Sequence, residues 1–303
     1  MRQKRASSQM ITGTVRGPYS VRSLSFLVVV GLLFGSTVKG TDHAGATAVE
    51  RKILVTCTTT LLSSVVTAVA GQDADVHTIV PFGMCPGHFD LTPGEVHKLM
   101  NADILLYHGF ERFLGDIEFY PRTKVVRANV SGNWMIPDIH TQAVQRVVSI
   151  LSETSPRMNI EMSRNADAYN QIIAQKANAA KMRLAKYKGI PVTCSDMNRD
   201  LAEWFGFKVV AKFARDEDVS VSALHRIVAQ SRKLRARLVI DNKQSGGKMG
   251  RTIARELDVP MALLSNFPES DSTETDKYPY IRTLDHNCNA ILEALAGREG
   301  KVE

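Results

Sequence analysis

VPFGMCPGHFDLTP, Val80 to Pro93, is the stretch from which the rest of the chain is read. Gly83 and Gly87 reach backbone angles that other residues resist, and Pro81 and Pro86 hold the chain extended. That combination predicts a stiff loop that presents Cys85 and His88 at fixed positions. Histidine is the commonest protein metal ligand and cysteine is a soft one. Binding residues concentrate on loops held by a rigid scaffold, so this loop is a candidate site.

Upstream, KILVT (52–56) is a short run of β type, followed by Thr58 to Thr60, which can cap a helix starting near Leu61. LLSSVVTAVAG carries that helix to Gly71, and VHTIV (76–80) is a second strand feeding the loop. Downstream, Thr92-Pro93-Gly94-Glu95 combines an N-cap Thr, a Pro at N1 and a Glu at N3, so a helix starts there and runs to about Asn101. ILLY (104–107) and KVVR (124–127) are further strands. Strands alternating with helices imply a parallel sheet.

A helical region follows from Pro137 to about Ser152. After Pro156, residues 159–188 contain no Gly or Pro. Thirty helical residues would reach about 45 Å, which suits a spine between two lobes. An ordinary helical hairpin on one domain is the alternative. After Gly189 the alternation returns, with strands at 191–194, 208–211, 238–241 and 260–264 and helices at 196–205, 219–232, 247–257 and 277–296. The expected fold class is α/β: two lobes, each a parallel sheet flanked by helices, joined by one long rigid helix. The expected division is an N-terminal lobe at 48–137, a helical linker at 138–188 and a C-terminal lobe at 189–303.

The start of the chain differs from the rest. Arg2, Lys4, Arg5, Arg16 and Arg22 precede a short apolar run, SFLVVVGLLF (25–34), too short to span a bilayer comfortably. A basic start, a short apolar core and then small residues make residues 1–40 a predicted secretory signal peptide, with no membrane span after cleavage. A retained single anchor is the alternative reading. Cleavage fits after Gly40 or Ala46, and no Cys sits just after the apolar run to carry a lipid. Residues 1–40 hold six Lys/Arg and no Asp/Glu, so their removal brings the formal charge from +7 to +1. The basic balance therefore belongs to the leader and gives no case for nucleic-acid binding. Four cysteines are too few for a disulfide framework.

Ligands of parallel α/β sheets bind outside the carboxyl ends of the strands. In lobe one those ends offer Cys57, the Cys85–His88 loop and His108; in lobe two, Cys194, Ser195 and Asp196, then Asp241 and Asn242, then Ser265 and Asn266. His88 is the first candidate metal ligand. Cys85 could serve as a thiolate ligand or pair with Cys57 or Cys194 in a disulfide. Cys57 reads more simply as a small buried residue, His108 as a group that orients His88 or caps a strand. No nucleophile elbow, phosphate loop or dinucleotide fingerprint is present, and Gly246-Gly247-Lys248 lacks the phosphate-loop spacing, so no enzyme activity is expected.

Several blocks occur in a specific order over about residues 51–298: KILVTCTTT, VPFGMCPGHFDLTPGEVHKLMNADILLYHGFE, NWMIPDIHTQAVQRV, the long helix, PVTCSDMNRDLAEWFGFKVV and LVIDNKQSGGKMGRTIARELDVP. In these the chain resembles the substrate-binding proteins of bacterial ABC importers for zinc, manganese or iron (the cluster A-I, periplasmic zinc-receptor family). The resemblance implies two lobes around a cleft, a periplasmic location, and an ABC permease with its ATPase as partners. It implies a metal set of three His and a carboxylate, or two His and two carboxylates. His88 keeps the first position. The second His would precede Trp134, where this chain has Gly132-Asn133, and the third would fall at Ser195 beside Cys194. Asp241 keeps one acidic position, and a further one near Leu264 reads Ser265-Asn266. The expected site is therefore atypical: His88, Cys85, Cys194 and Asp241 as metal ligands, with Cys57, His108, Ser195 and Asn266 around them. Such a set favours zinc, with manganese, iron or copper as alternatives. A secreted binding or adhesion module of the same fold, taking a metal complex or a small organic solute, is the second expectation.

Overall fold

Short β-branched runs and capped helices alternate along the chain and pair into two separate parallel sheets. The computed structural model describes residues 51–115, 122–269 and 277–299 of the 303. The expected leader, residues 1–40, lies outside the described residues.

Lobe one runs β1 (Ile53–Cys57), α1 (Thr60–Ala70), β2 (Ala74–Thr78), α2 (Pro93–Asn101), β3 (Ile104–Tyr107) and β4 (Lys124–Arg127). Thr59 is the N-cap of α1, with its hydroxyl accepting from Leu62 N. Gly71 ends that helix with φ 55°, an angle glycine takes without a side-chain clash. The capping box of α2 forms as its sequence requires: Thr92 Oγ1 accepts from Glu95 N at 3.4 Å, and Glu95 Oε2 accepts from Thr92 N at 2.7 Å. Strand order is β2-β1-β3-β4, with Val55 opposite both Val76 and Ile104.

Two helices follow, α3 (Pro137–Thr154) and α4 (Asn159–Leu184). Lobe two runs β5 (Pro191–Ser195), α5 (Arg199–Trp204), β6 (Lys208–Phe213), α6 (Val221–Lys233), β7 (Leu238–Asn242), α7 (Lys248–Leu257), β8 (Met261–Leu264) and α8 (Pro279–Glu299). Its sheet order, β6-β5-β7-β8, repeats that of lobe one strand for strand.

The spine α4 is 26 residues long, so it reaches about 39 Å. It is shorter than the run of Gly- and Pro-free sequence because the chain tightens into a 3₁₀ turn at Ala185–Tyr187 before Gly189, whose φ of 78° suits the exit. Its buried stripe, Met162, Ala166, Tyr169, Ile173, Ala177, Ala180 and Leu184, repeats at steps of three and four, one face of a helix. One continuous apolar core contains Leu62 and Val66 of α1, Val147 of α3, Ile173 of α4, Val192 of β5 and Leu284 of α8. Both sheets belong to the same compact unit.

Candidate functional site

Residues that end or follow the strands of both sheets line one cleft of about 660 Å³. Lobe one lines it with Cys85, Gly87, His108, Phe110, Arg127 and Trp134, and lobe two with Asp196, Met197, Arg215, Gln244 and Asn266.

Of the loop pair, Cys85 lines the cleft and His88 is exposed at its edge. Pro86–His88 form one 3₁₀ turn in which His88 N donates to Cys85 O at 3.1 Å. Both side chains reach across to Arg215 of lobe two. Arg215 Nη1 donates to His88 Nε2 at 3.2 Å, and Arg215 Nη2 donates to Cys85 Sγ at 2.9 Å. One guanidinium therefore spans the thiol and the imidazole.

Cys194 and Asp241 do not join this pair. Cys194 is fully buried in the core of lobe two, and its Sγ donates to Ser195 O at 3.2 Å. Burial, with the nearby Asp241 carboxylate, pushes its thiol well above the ordinary range, which opposes the thiolate that a metal needs. Asp241 is buried at the end of β7 and receives the start of α7: Oδ1 accepts from Asn242 N at 2.6 Å, and Oδ2 accepts from Gly250 N at 2.8 Å. A Cβ on residue 250 would stand 2.6 Å from the Asp241 carboxylate, so glycine is what allows this close approach. The expected oxygen ligand thus accepts one N–H from the first turn of α7, that of Gly250, and one from its own neighbour Asn242. Among the described residues no three His, Cys, Asp or Glu side chains gather as metal ligands would.

The surrounding residues are also reassigned. Cys57 is fully buried, as the simpler reading required, and burial raises its thiol. All four cysteines are free, so the disulfide alternatives fall away. His108 does not orient His88. Its Nε2 is 2.9 Å from Thr59 Oγ1, its ring stacks on Phe110 and meets Trp134 edge-on. Desolvation lowers it to about 4 against the partial opposition of Glu111, so it is neutral. Ser195 Oγ bonds Asn198 Oδ1 at 3.4 Å, inside lobe two.

Asn266 does face the cleft, as part of an amide clasp between the lobes. Asn133 Nδ2 donates to Asn266 Oδ1 at 3.1 Å and to Met197 O at 3.3 Å, and Asn266 Nδ2 donates to Met197 O and to Asn198 Oδ1, each at 3.0 Å. Asn133 stands immediately before Trp134, and Asn266 two residues after Leu264. These are the places where the resemblance called for a histidine and a carboxylate. Two neutral carboxamides bonded to each other now hold them.

Sequence reasoning missed both cleft arginines. Arg127 is the last residue of β4 and Arg215 follows β6 by two residues, so each sits at the carboxyl end of an outer strand. The strand-end rule covers them both. Arg127 Nε donates to His108 O at 2.8 Å. Its guanidinium lies against Gly109, whose φ is 111° and where any Cβ would collide with it.

The matching family model is that of ZnuA, described as the periplasmic component A of a zinc-uptake complex, over residues 55–294. The iron ABC transporter substrate-binding lipoprotein MtsA of Streptococcus pyogenes serotype M1 is 34% identical over 86 residues, which is 28% of this chain and 26% of that protein. The chain thus spans about a quarter of the length of that relative. The manganese-binding lipoprotein MntA of Bacillus subtilis is 23% identical over 221 residues, 64% of this chain and 72% of the relative. The periplasmic zinc-binding protein TroA from Treponema pallidum shares the fold, with a TM-score of 0.68 at 18% identity, covering 80% of this chain and 99% of its own.

Proposed function

Since the chain belongs to the periplasmic zinc-uptake complex component A family, we propose that it is the extracytoplasmic receptor of an ABC importer. It captures a transition metal, zinc before manganese, iron or copper, in the cleft between its lobes. It then delivers the metal to a membrane permease driven by an ATPase, and it catalyses no reaction itself. Residues 1–40 serve as the secretion leader, and the mature protein works in the periplasm. Its parts are the lobes at 48–137 and 189–303 and the linker at 138–188. The naming of relatives as metal and iron ABC transporter substrate-binding lipoproteins supports this reading. No helix among the described residues is long and apolar enough to cross a membrane.

One observation carries the proposal. Cys85 Sγ and His88 Nε2 both accept from the Arg215 guanidinium, so a sulfur and an imidazole nitrogen stand beside one cation at the edge of the cleft. A sulfur and an imidazole nitrogen on one short loop suit zinc or copper(I). Cys194 and Asp241 support the scaffold and are not ligands in this reading.

The test is elemental analysis of gently purified full chain, with calorimetric titration by Zn²⁺ and Mn²⁺. One metal per chain, lost in His88→Ala and in Cys85→Ala, is the expected result. A metal content unchanged by both substitutions would remove the site.

A further inference from the structure

We propose that the metal enters this cleft not as a bare ion but as an anionic chelate, held by a carboxylate-bearing small molecule whose carboxylates are taken by Arg127 and Arg215. This rests on the metal-receptor reading above and specifies the form of the cargo.

Three observations lead there. First, the protein supplies too few donors. Zinc takes four ligands, and Cys85 and His88 provide two. The places where the resemblance called for a second histidine and a further carboxylate are held by Asn133 and Asn266, whose carboxamides are bonded to each other. Asp241 and Cys194 are engaged elsewhere. The remaining positions on the metal must come from something the metal brings with it.

Second, the cleft has the wrong charge for a bare cation. Two guanidiniums line it against one carboxylate, Asp196, which already pairs with Lys212 Nζ at 3.1 Å. Among the described residues neither Arg127 nor Arg215 has a carboxylate within ion-pair distance. His108 is neutral and adds no charge. A dication approaching such a wall is repelled, and an anion is attracted.

Third, Arg127 is held in place and Arg215 stands beside the donor pair. Arg127 is anchored through Nε to His108 O, and its guanidinium rests on the bare backbone of Gly109. That leaves its terminal nitrogens to receive a carboxylate by two parallel hydrogen bonds, the geometry in which guanidinium excels. Arg215 now donates to Cys85 Sγ and His88 Nε2, the two atoms that would bind the metal, so loading turns its guanidinium from them to a carboxylate beside them. The cleft volume of about 660 Å³ suits a small organic complex, whereas a bare ion would fill little of it.

The test uses Trp134, whose ring forms part of the cleft wall, as a fluorescence reporter alongside calorimetry. The full chain is titrated with Zn²⁺ alone, with zinc in excess citrate, and with citrate alone. The zinc–citrate complex is expected to bind about tenfold or more tighter than Zn²⁺ alone. Arg127→Ala should weaken the complex about tenfold or more, while Zn²⁺ alone should bind no more weakly and somewhat tighter, since one repelling charge is gone. Arg127→Lys, which keeps the charge and loses the fork, should fall between, and this variant guards against a folding defect in the alanine protein. Equal or tighter binding of Zn²⁺ alone, with citrate acting only as a competitor for metal, overturns the chelate and leaves the metal receptor standing. Citrate alone binding as tightly as its zinc complex overturns both, since the cargo is then an organic anion. No binding of any of the three also overturns both.

Discussion

Two residues show how closely position and chemistry are tied in this cleft. Gly109 has φ 111°, which side chains rarely adopt, and its missing Cβ is the space in which the Arg127 guanidinium lies. Gly109→Ala should therefore cost about 1–3 kcal/mol through backbone strain and displace Arg127 from His108 O. A thermal melt reads the first effect and chelate titration the second. The double variant with Arg127→Ala should lose less than the sum of the two, because the clash is removed with its partner. His140 supplies the second case. It is fully buried, stacked 3.5 Å from Tyr280, with Nδ1 donating to Trp134 O at 3.2 Å and Nε2 accepting from Tyr169 Oη at 3.0 Å. Burial takes it from its ordinary 6.5 down to about 3, only partly offset by the Trp134 carbonyl. Between those values the unfolded chain binds a proton that the folded one refuses, so stability is complete above 6.5 and is lost as pH falls. The loss should approach about 1.4 kcal/mol per pH unit from this group. Melts from pH 7.5 to 4 should show the decline. His140→Phe should be less stable at pH 7.5 and flatter below 6.5; an unchanged slope would show that the acid sensitivity lies elsewhere.

At the level of elements, the spine α4 is defined by its buried stripe more than by its propensity. Ile173 lies midway along that stripe, and its truncation to alanine leaves a void between the lobes that neighbours fill only in part. Ile173→Ala should cost about 2–5 kcal/mol in chemical denaturation, whereas Ile160→Ala, at an exposed position on the same helix, should cost little. The elements are also where sequence was most readable. Strands β3 and β4 and helix α2 fall on the expected residues, because short apolar runs and a complete capping box are local signals. The region 196–205 was less readable. It begins as a 3₁₀ turn at Asp196–Asn198 and becomes α-helical only from Arg199, a choice made by tertiary bonds to Asn198 that no local pattern encodes. The site shows the same division. The loop that carries Cys85 and His88 was legible from its Pro and Gly. The functions of Cys194, Asp241 and His108 were not, since each depends on what lies across the fold: the core of lobe two, the start of α7, and the Thr59 hydroxyl.

The whole molecule is a pair of sheets with matching order, fused through a common core. Receptors that close around a ligand by a hinge need a thin, solvated crossing between lobes. Here the crossing is thick. The apolar cluster runs from α1 through α3 and α4 into β5 and α8 without a break, and Tyr280 Oη of α8 donates to Met135 O at 3.1 Å just ahead of α3. Opening the lobes widely would expose part of this core, at about 25 cal/mol for each Å² of apolar surface. Two kinds of bond also cross at the cleft itself, the Asn133–Asn266 clasp and the Arg215 contacts to Cys85 and His88. These are single polar contacts, so they can exchange partners at lower cost than the core can part. Cargo binding should consequently rearrange side chains and the Val80–Pro93 loop while the two sheets keep their relation. Small-angle scattering with and without cargo should give superimposable profiles. Distance measurements between spin labels at Lys98 and Arg255, one on each lobe, should shift by less than about 2 Å, the scale separating side-chain adjustment from domain rearrangement. Closure by several ångströms on loading would mean that α3, α4 and α8 slide against one another, and that the continuous core does not brace the lobes.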